Sequence, residues 1–180
     1  MGLAYANLWK GRRRHPVIEV LDLSDDEISE LLARVGYGHL ACCRDGQPYV
    51  VPVHYGFRNE KIYIYTTEGK KADIIAENPS VCLQIEEVHD NRHWQSVIVD
   101  GVAIRLQHGD ERDKALDAVV AINPTLTPAV SIRWLDEWVR ENIEVIYRID
   151  VTSASGRRSR DRADSPSIVP QTSDQRKTLR

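Results

Sequence analysis

The feature that most constrains the fold is a segment, residues 37–66, in which three strand-like runs are separated by very short turns. Apolar and polar residues alternate along the runs, as in a β-strand with one buried face. Asp45 and Gly46 form the first turn, and Arg58, Asn59 and Glu60 form the second. Turns this short join only antiparallel neighbours, so the segment is predicted to be a meander. Its predicted strands cover residues 37–43, 47–55 and 61–66.

Further strands and helices are predicted on both sides of the meander. Ser24 and Glu27 have the spacing of a capping box, which predicts a helix that ends near Gly36. Gly101 predicts a bulge in the fifth strand, and Asp110 is predicted to cap a later helix. The other predicted strands are 81–86, 94–106 and 143–151, and the other predicted helices are 70–77, 110–124 and a short one within 131–139. Six strands, with one helix after the third and another after the fifth, favour a small antiparallel Greek-key barrel that is mainly β.

Composition and charge limit the classes of protein to which this chain can belong. The chain has 180 residues, of which 42% are hydrophobic, and this is ordinary for one globular domain. A net charge of -3 makes nucleic acid an unlikely partner. No apolar run approaches the ~20 residues that span a bilayer, and no signal-type core follows the basic start, so a cytoplasmic location is predicted. The predicted divisions are a flexible basic arm over 1–17, a folded domain over 18–156 and a disordered basic tail over 157–180.

The cysteines and histidines do not predict a metal site. Cys42, Cys43 and Cys82 cannot all pair, and they are interpreted as small core residues. His89 and His93 are four residues apart, but the residues between them favour a turn rather than a helix. No C-x-x-C spacing is present, so no metal ligand is predicted.

The junction after the third strand is predicted to bind an anion. It carries two hydroxyls, a glycine and two lysines, where a strand gives way to a helix. The first N–H groups of a helix have no partner within the helix and lie at its positive end, so they attract a phosphate. The alternative is a solvated helix start, but positive charge at a helix N-terminus is unfavourable unless an anion is present. The residues are Thr66, Thr67, Gly69, Lys70 and Lys71.

Several motifs in a fixed order connect this junction to a known family. They occupy residues 38–41, 45–53, 55–56, 62–64, 69–71, 78–79 and 81–82. Together they resemble the pyridoxamine 5'-phosphate oxidase-like superfamily, and within it the flavin-binding branch that includes nitroimidazole-resistance proteins. The resemblance implies a six-stranded split β-barrel that forms a homodimer, with FMN in two equivalent grooves between the subunits.

The resemblance also implies three groups of FMN-binding residues. The strand Val50, Val51, Pro52 and Val53, followed by His54, would lie against the isoalloxazine. The junction residues named above, preceded by Tyr65, would surround the phosphate. The opposite wall, from the other subunit, would contain Trp94, Gln95 and Ser96. Trp94, His54 and Tyr65 have equally good structural interpretations, and His39 is predicted to be structural.

The implied activity is that of an FMN-dependent oxidoreductase that reduces a small electrophile, a nitro compound or a quinone, with a nicotinamide donor. The alternatives are a non-catalytic flavin-binding or flavin-storing protein, and a deazaflavin- or heme-binding variant of the fold. Tyr65 and Thr66 stand where nitroimidazole-resistance proteins often have a histidine and a small residue. The C-terminal arginine and histidine motifs of the true oxidases are missing, which disfavours vitamin B6 oxidation. No catalytic residue is predicted, because the cofactor carries the redox chemistry.

Overall fold

Antiparallel strands make up most of the structure, a computed structural model that describes residues 18–124, 133–135, 138–140 and 144–161. The predicted arm over 1–17, and residues 162–180 of the predicted tail, lie outside the described residues. The strands are β1 (Ile18–Asp22), β2 (Tyr37–Arg44), β3 (Gln47–Arg58), β4 (Lys61–Thr67), β5 (Ser80–Val88), β6 (Trp94–Arg105), β7 (Arg133–Leu135), β8 (Trp138–Arg140) and β9 (Glu144–Asp161). The helices are α1 (Asp25–Val35), α2 (Lys70–Glu77) and α3 (Asp110–Ile122).

Six of the strands close into a ring, and this confirms the predicted barrel. The hydrogen-bonded order is β9, β4, β3, β2, β5 and β6, and β6 pairs in turn with β9. β1 adds a seventh strand beyond the predicted six by pairing with the last part of β9. α2 follows β4 and α3 follows β6, which are the predicted insertion points. The interior holds the main apolar core, and a second cluster lies between α3 and the outer face of β4 and β9.

Both predicted turns of the meander are present, and they share one backbone geometry. Asp45 and Gly46 have φ of 52° and 73°, and Asn59 and Glu60 have φ of 51° and 59°. Positive φ at both central residues defines a type I′ turn, whose twist matches that of the strands it joins. β2, β3 and β4 therefore pair without a register break.

The helices begin and end close to the predicted residues. Ser24 and Glu27 form the complete capping box of α1, which ends at Gly36 with φ of 67°. α3 is capped by Gly109, so Asp110 is the first helical residue and the prediction that it caps the helix is wrong. Within the described ranges, no helix has both the length and the apolar character needed to cross a membrane.

The predicted end of the domain is wrong, because β9 continues to Asp161 and its residues 157–161 pair with β1. This half of β9 is stabilised by polar contacts rather than by apolar burial, so its sequence lacks the apolar alternation that predicts a strand. Buried Ser159 accepts a 2.9 Å bond from the Trp94 N–H, and Arg158 pairs with Glu27. Gly156 lies so close to Leu23 that an added Cβ would be 2.7 Å from a Leu23 methyl carbon.

Two other sequence predictions are resolved by strand pairing. The helix predicted within 131–139 is wrong, because β7 and β8 pair there as an antiparallel hairpin. The apolar residues of that segment are too few to distinguish the helical period of 3.6 residues from the strand period of 2. The bulge predicted at Gly101 is confirmed by a register shift between Asp100 and Gly101 in the β6–β9 pairing. A Cβ at Gly101 would be 2.5 Å from a methyl carbon of Ile149, so close strand packing requires glycine there.

We expect deletion of residues 157–180 to destabilise the protein relative to deletion of residues 162–180. The longer deletion removes the part of β9 that pairs with β1, together with the Arg158–Glu27 ion pair, whereas the shorter one keeps every described strand. A loss of about 2 kcal/mol or more would lower the melting temperature by roughly 4 to 8 °C. Thermal unfolding followed by circular dichroism measures the difference, and equal midpoints would contradict the assigned role of this half of β9.

Candidate functional site

The two lysines at the junction between β4 and α2 have different surroundings. Lys71 is half-buried, and its Nζ donates a hydrogen bond to Oγ1 of the buried Thr66. Lys70 is exposed, and its Nζ lies 4.6 Å from the centroid of the Tyr49 ring. A lysine at this distance interacts favourably with the ring face and stays hydrated. Lys71 is therefore the more desolvated cation of the pair.

Burial lowers the pKa of Lys71, because desolvation disfavours the charged ammonium. The nearby Cys42 thiol acts in the opposite direction, and no Asp or Glu contributes. Among the described residues, Lys71 thus has a hydroxyl as its hydrogen-bond partner and no carboxylate. A half-buried cation that lacks a compensating anion is destabilising unless a ligand supplies the negative charge.

The first turn of α2 adds unpaired donors beside Lys71. Gly69 precedes the helix with φ of 145° and ψ of -167°, and no side chain caps the helix. The first helical backbone bond runs from the Asp73 N–H to the Gly69 carbonyl, so the N–H groups of residues 70–72 have no partner within the helix. These donors lie at the positive end of the helix, where an anion is stabilised.

The strand β3 has an open edge next to this junction. Its residues 47–54 pair with β2, but its pairing with β4 begins only at His54 and Tyr65. Tyr55 donates its N–H to the Gly36 carbonyl on the β2 side, so by alternation Val50 and Pro52 direct their backbone groups away from β2. Among the described residues, nothing pairs with that edge. A ligand with donors and acceptors along one side can bind there.

The predicted segment of β3 alternates between the two faces of the sheet. Val51 and Val53 pack in the barrel core. Val50 and His54 are exposed on the outside, and Pro52 lies between them on the same face. The structure therefore places the backbone edge, rather than all the predicted side chains, beside the junction.

Tyr65 belongs to a different environment from the rest of the predicted phosphate group. It lies on the opposite face of β4 from Thr66, packs in the cluster under α3, and donates its hydroxyl to Glu144. Arg112 binds the other carboxylate oxygen of Glu144 at 3.0 Å. Burial, followed by the hydrogen bond to Glu144, raises the pKa of Tyr65 to about 12. Tyr65 is thus a packed structural residue of this protomer.

The third predicted group starts β6 and makes no described contact with the junction. Gln95 donates to Glu87, Ser96 accepts a long bond of 3.5 Å from Gln84, and the Trp94 N–H is bound by Ser159. In the register of the sheet these residues pair with the end of β5. No described contact of this chain therefore connects them to Lys71.

Sequence reasoning missed the residues that surround the two lysines. Tyr49 contacts Lys70, and Cys42 lies near enough to Lys71 to influence its charge, across a barrel wall that no local pattern reveals. His39 was predicted to be structural, but it belongs to a cluster with Tyr37 and His54 on the outer face of the sheet. The Tyr37 ring centroid lies 5.7 Å from that of His39 and 5.6 Å from that of His54. The alternation of β2 and β3 was the available signal, because residues 37, 39 and 54 fall on one face once the hairpin register is known.

Taken together, the junction and the open edge of β3 can hold a phosphorylated planar molecule. Val53 and Thr66 are the next residues along the two strands after the last β3–β4 pair, so the edge and the anion site are contiguous. The junction supplies a desolvated cation and N–H groups that have no partner within the helix, and the edge supplies backbone donors and acceptors.

Two solved structures are similar to this chain in fold. A solved FAD-binding protein from Mesorhizobium loti is 30% identical, with a TM-score of 0.65 over 81% of this chain and 100% of that one. A 5-nitroimidazole antibiotic resistance protein from Bacteroides thetaiotaomicron is 19% identical, with a TM-score of 0.60 over 79% of this chain and 89% of that one, and supports the fold alone.

One curated relative and one family complete the comparison. An uncharacterised protein of Rhizobium meliloti strain 1021 is 42% identical over 79 residues, which are 44% of this chain and 52% of that protein. The chain thus spans about half the length of that relative. The family model described as pyridoxamine 5'-phosphate oxidase matches residues 24–158, three quarters of the chain. The chain therefore belongs to the pyridoxamine 5'-phosphate oxidase-like family, and its barrel is the split β-barrel of that family.

Proposed function

We propose that this protein binds FMN and uses it to reduce a small electrophilic substrate, a nitro compound or a quinone, with electrons from a nicotinamide donor. The observation that carries the proposal is Lys71, a half-buried cation whose described hydrogen-bond partner is a threonine. A phosphate supplies the missing charge, and its oxygens accept from Nζ, from a threonine hydroxyl and from the first N–H groups of α2.

The residues present fit a flavin in charge and in hydrogen-bonding capacity. Lys71, Thr66 and the start of α2 would hold the phosphate, and the open edge of β3 at Val50 and Pro52 would contact the ring system. When bound, the flavin supplies the hydride chemistry. The chain orients it and excludes water on the core side of β3, where Val51 and Val53 are packed.

We favour FMN over FAD because the site contains a single desolvated cation. The relative from Mesorhizobium loti is described as FAD-binding, and FAD includes the FMN half, so Lys71 would serve either molecule. A second basic cavity of about 280 Å³ contains Arg105 and Arg112, but these guanidiniums already pair with Glu68 and Glu144. Their charge is thus largely neutralised before any second phosphate arrives.

We also propose that two copies of this chain share the cofactor. A row of apolar and weakly polar residues crosses the outer face of three neighbouring strands, β3, β2 and β5, through Val50, Ala41 and Cys82, and the next position in register, on β6, is Asp100. Val50 is 57% exposed, and Val102 on β6 is 37% exposed. An apolar face of this kind on a small barrel favours burial against a second subunit. The groove wall at Trp94, Gln95 and Ser96 would then come from the partner.

Lys71→Met is expected to weaken flavin binding and to stabilise the flavin-free protein. A charge-assisted contact with phosphate contributes about 1.5 to 3 kcal/mol, so FMN affinity should fall roughly tenfold to a hundredfold. Without flavin, removing the desolvated charge should raise the free energy of unfolding by about 0.5 to 2 kcal/mol. The sign follows from the lowered pKa of Lys71: the penalty applies in full below the pKa of Lys71 in the folded protein and disappears as the pH rises past about 10.4, the unfolded value.

The matched control for this experiment is Lys114→Met, because Lys114 is an exposed lysine on α3. Fluorescence titration of the flavin-free variants with FMN and with FAD gives the affinities, and urea unfolding gives the stabilities. Equal FMN affinity in the two variants would refute the phosphate assignment. Much tighter binding of FAD than of FMN would refute the choice of cofactor and direct attention to the cavity at Arg105.

If the flavin lies between two subunits, diluting the protein until the dimer dissociates should release it. The reason is that one protomer does not bring Trp94, Gln95 and Ser96 to the junction. Light scattering and flavin fluorescence, recorded over the same dilution series, should change at the same concentration. A monomer that retains its flavin would contradict the shared groove.

Reduction of the bound flavin distinguishes an oxidoreductase from a storage protein. Stopped-flow mixing of the yellow protein with NADH or NADPH should bleach the flavin absorbance, and subsequent addition of a quinone or a nitro compound should restore it. A flavin that neither donor reduces, while free FMN of the same preparation is chemically reducible by dithionite, would support the non-catalytic alternative.

A further inference from the structure

Asn123 sets the hydrogen-bonding state of His54. Its Nδ2 lies 3.1 to 3.3 Å from three carbonyl oxygens, those of Gly36, Tyr55 and Val119, so this atom must be the donating amide nitrogen. The reversed amide would place an oxygen against all three carbonyls. Its Oδ1, which can only accept, lies 3.1 Å from Nδ1 of His54. Nδ1 of His54 therefore carries the proton, and in the neutral ring Nε2 is a bare acceptor.

Gln84 sets the hydrogen-bonding state of His39 in the same way. Its Nε2 donates to the Glu86 carboxylate at 3.0 Å, and a carboxylate can only accept. The Gln84 Oε1 therefore faces Nδ1 of His39, at 3.1 Å, and must receive its proton. Nε2 of His39 is the second bare acceptor.

Both histidines lie on one outer face of the sheet, on either side of Tyr37. Tyr37 pairs with His54 across β2 and β3, and His39 pairs with Pro52. The Tyr37 ring is 44% exposed and is edge-on to both imidazoles, at 78° and 64°. A cavity of about 250 Å³ lies against Tyr37, His39, Glu86 and Val88. The cavity is thus lined by Tyr37 and His39, and the ring of His54 contacts the same Tyr37 from the neighbouring strand.

We propose that Tyr37, His39 and His54 form a binding site for a small planar ligand that carries a hydroxyl or a ring N–H group. The ligand's ring packs against Tyr37, and its O–H or N–H donates to a histidine Nε2. Asn123 and Gln84 are positioning residues, because they keep Nδ1 protonated and so leave Nε2 free to accept. The site extends beyond the proposed function, since its hydrogen bonds do not require a bound flavin.

The tautomers can be measured directly. In the ¹⁵N-labelled full-length protein in alkaline buffer, the neutral rings of His39 and His54 should show a protonated Nδ1 and an unprotonated Nε2. Gln84→Met should release His39 from this state and leave His54 unchanged, which provides a control within one molecule. Protonation of Nε2 in neutral His39 or His54 of the original protein would overturn the proposal.

Ligand binding is tested with a matched pair of probes, phenol and anisole, which differ in the hydroxyl proton. Phenol should shift the ring resonances of His39 and His54 in a saturable way, whereas anisole, which cannot donate, should bind at least roughly fivefold more weakly. His39→Phe and His54→Phe should weaken phenol binding by a similar factor, and His108→Phe, at an exposed histidine, should not. Equal binding of phenol and anisole to the original protein overturns the proposal, whether or not the variants fold.

Discussion

Closure of the barrel by β9 is the constraint on which the rest of the structure depends. This 18-residue strand pairs with β4 over its first part, with β6 along most of its length and with β1 at its end. The last of the described strands thus joins the two edges of the sheet that the earlier strands build. Closure leaves the first half of β3 without a second neighbour among the described strands, but each strand of the ring is buried on its interior face by the others.

Closure also explains why a lysine is held at the end of the barrel. β4 ends at Thr67, where its partner β9 begins, and the chain must turn there to start α2 across the barrel end. Ala72, Ile74 and Ile75 bury the apolar side of that helix. Lys71 comes immediately before them in the helix, so it is half-buried as well. Burial of these apolar residues offsets the unfavourable free energy of desolvating the Lys71 ammonium. An anionic ligand would remove that penalty, so this position favours one.

The open edge of β3 and the outer histidine cluster share a further cause. β3 is longer than its pairing with β4, so its first half has a neighbour on only one side. The exposed residues of this half continue the outer face of β2, where Tyr37 and His39 lie. A single hairpin therefore contributes both a free backbone edge and two histidines whose hydrogen bonds are fixed by residues far away in the sequence, Asn123 and Gln84.

Much of the barrel and the junction between β4 and α2 could be predicted from the sequence, because local rules control them. The turns at Asp45 and Asn59, the capping box at Ser24 and the period-two runs depend on near neighbours in the chain. The junction was recognisable because a glycine and two lysines at a strand-to-helix boundary have a local electrostatic meaning.

Only the tertiary structure determines which of these residues lie in the same environment. Tyr65 and Thr66 are consecutive, yet one lies under α3 and the other beside Lys71, because successive residues of a strand face opposite sides. The second half of β9 has no strand pattern, since ion pairs and a buried serine hold it instead of apolar burial. Burial, the partners of a charge and the tautomer of a histidine all arise from contacts between distant segments, and no local pattern encodes them.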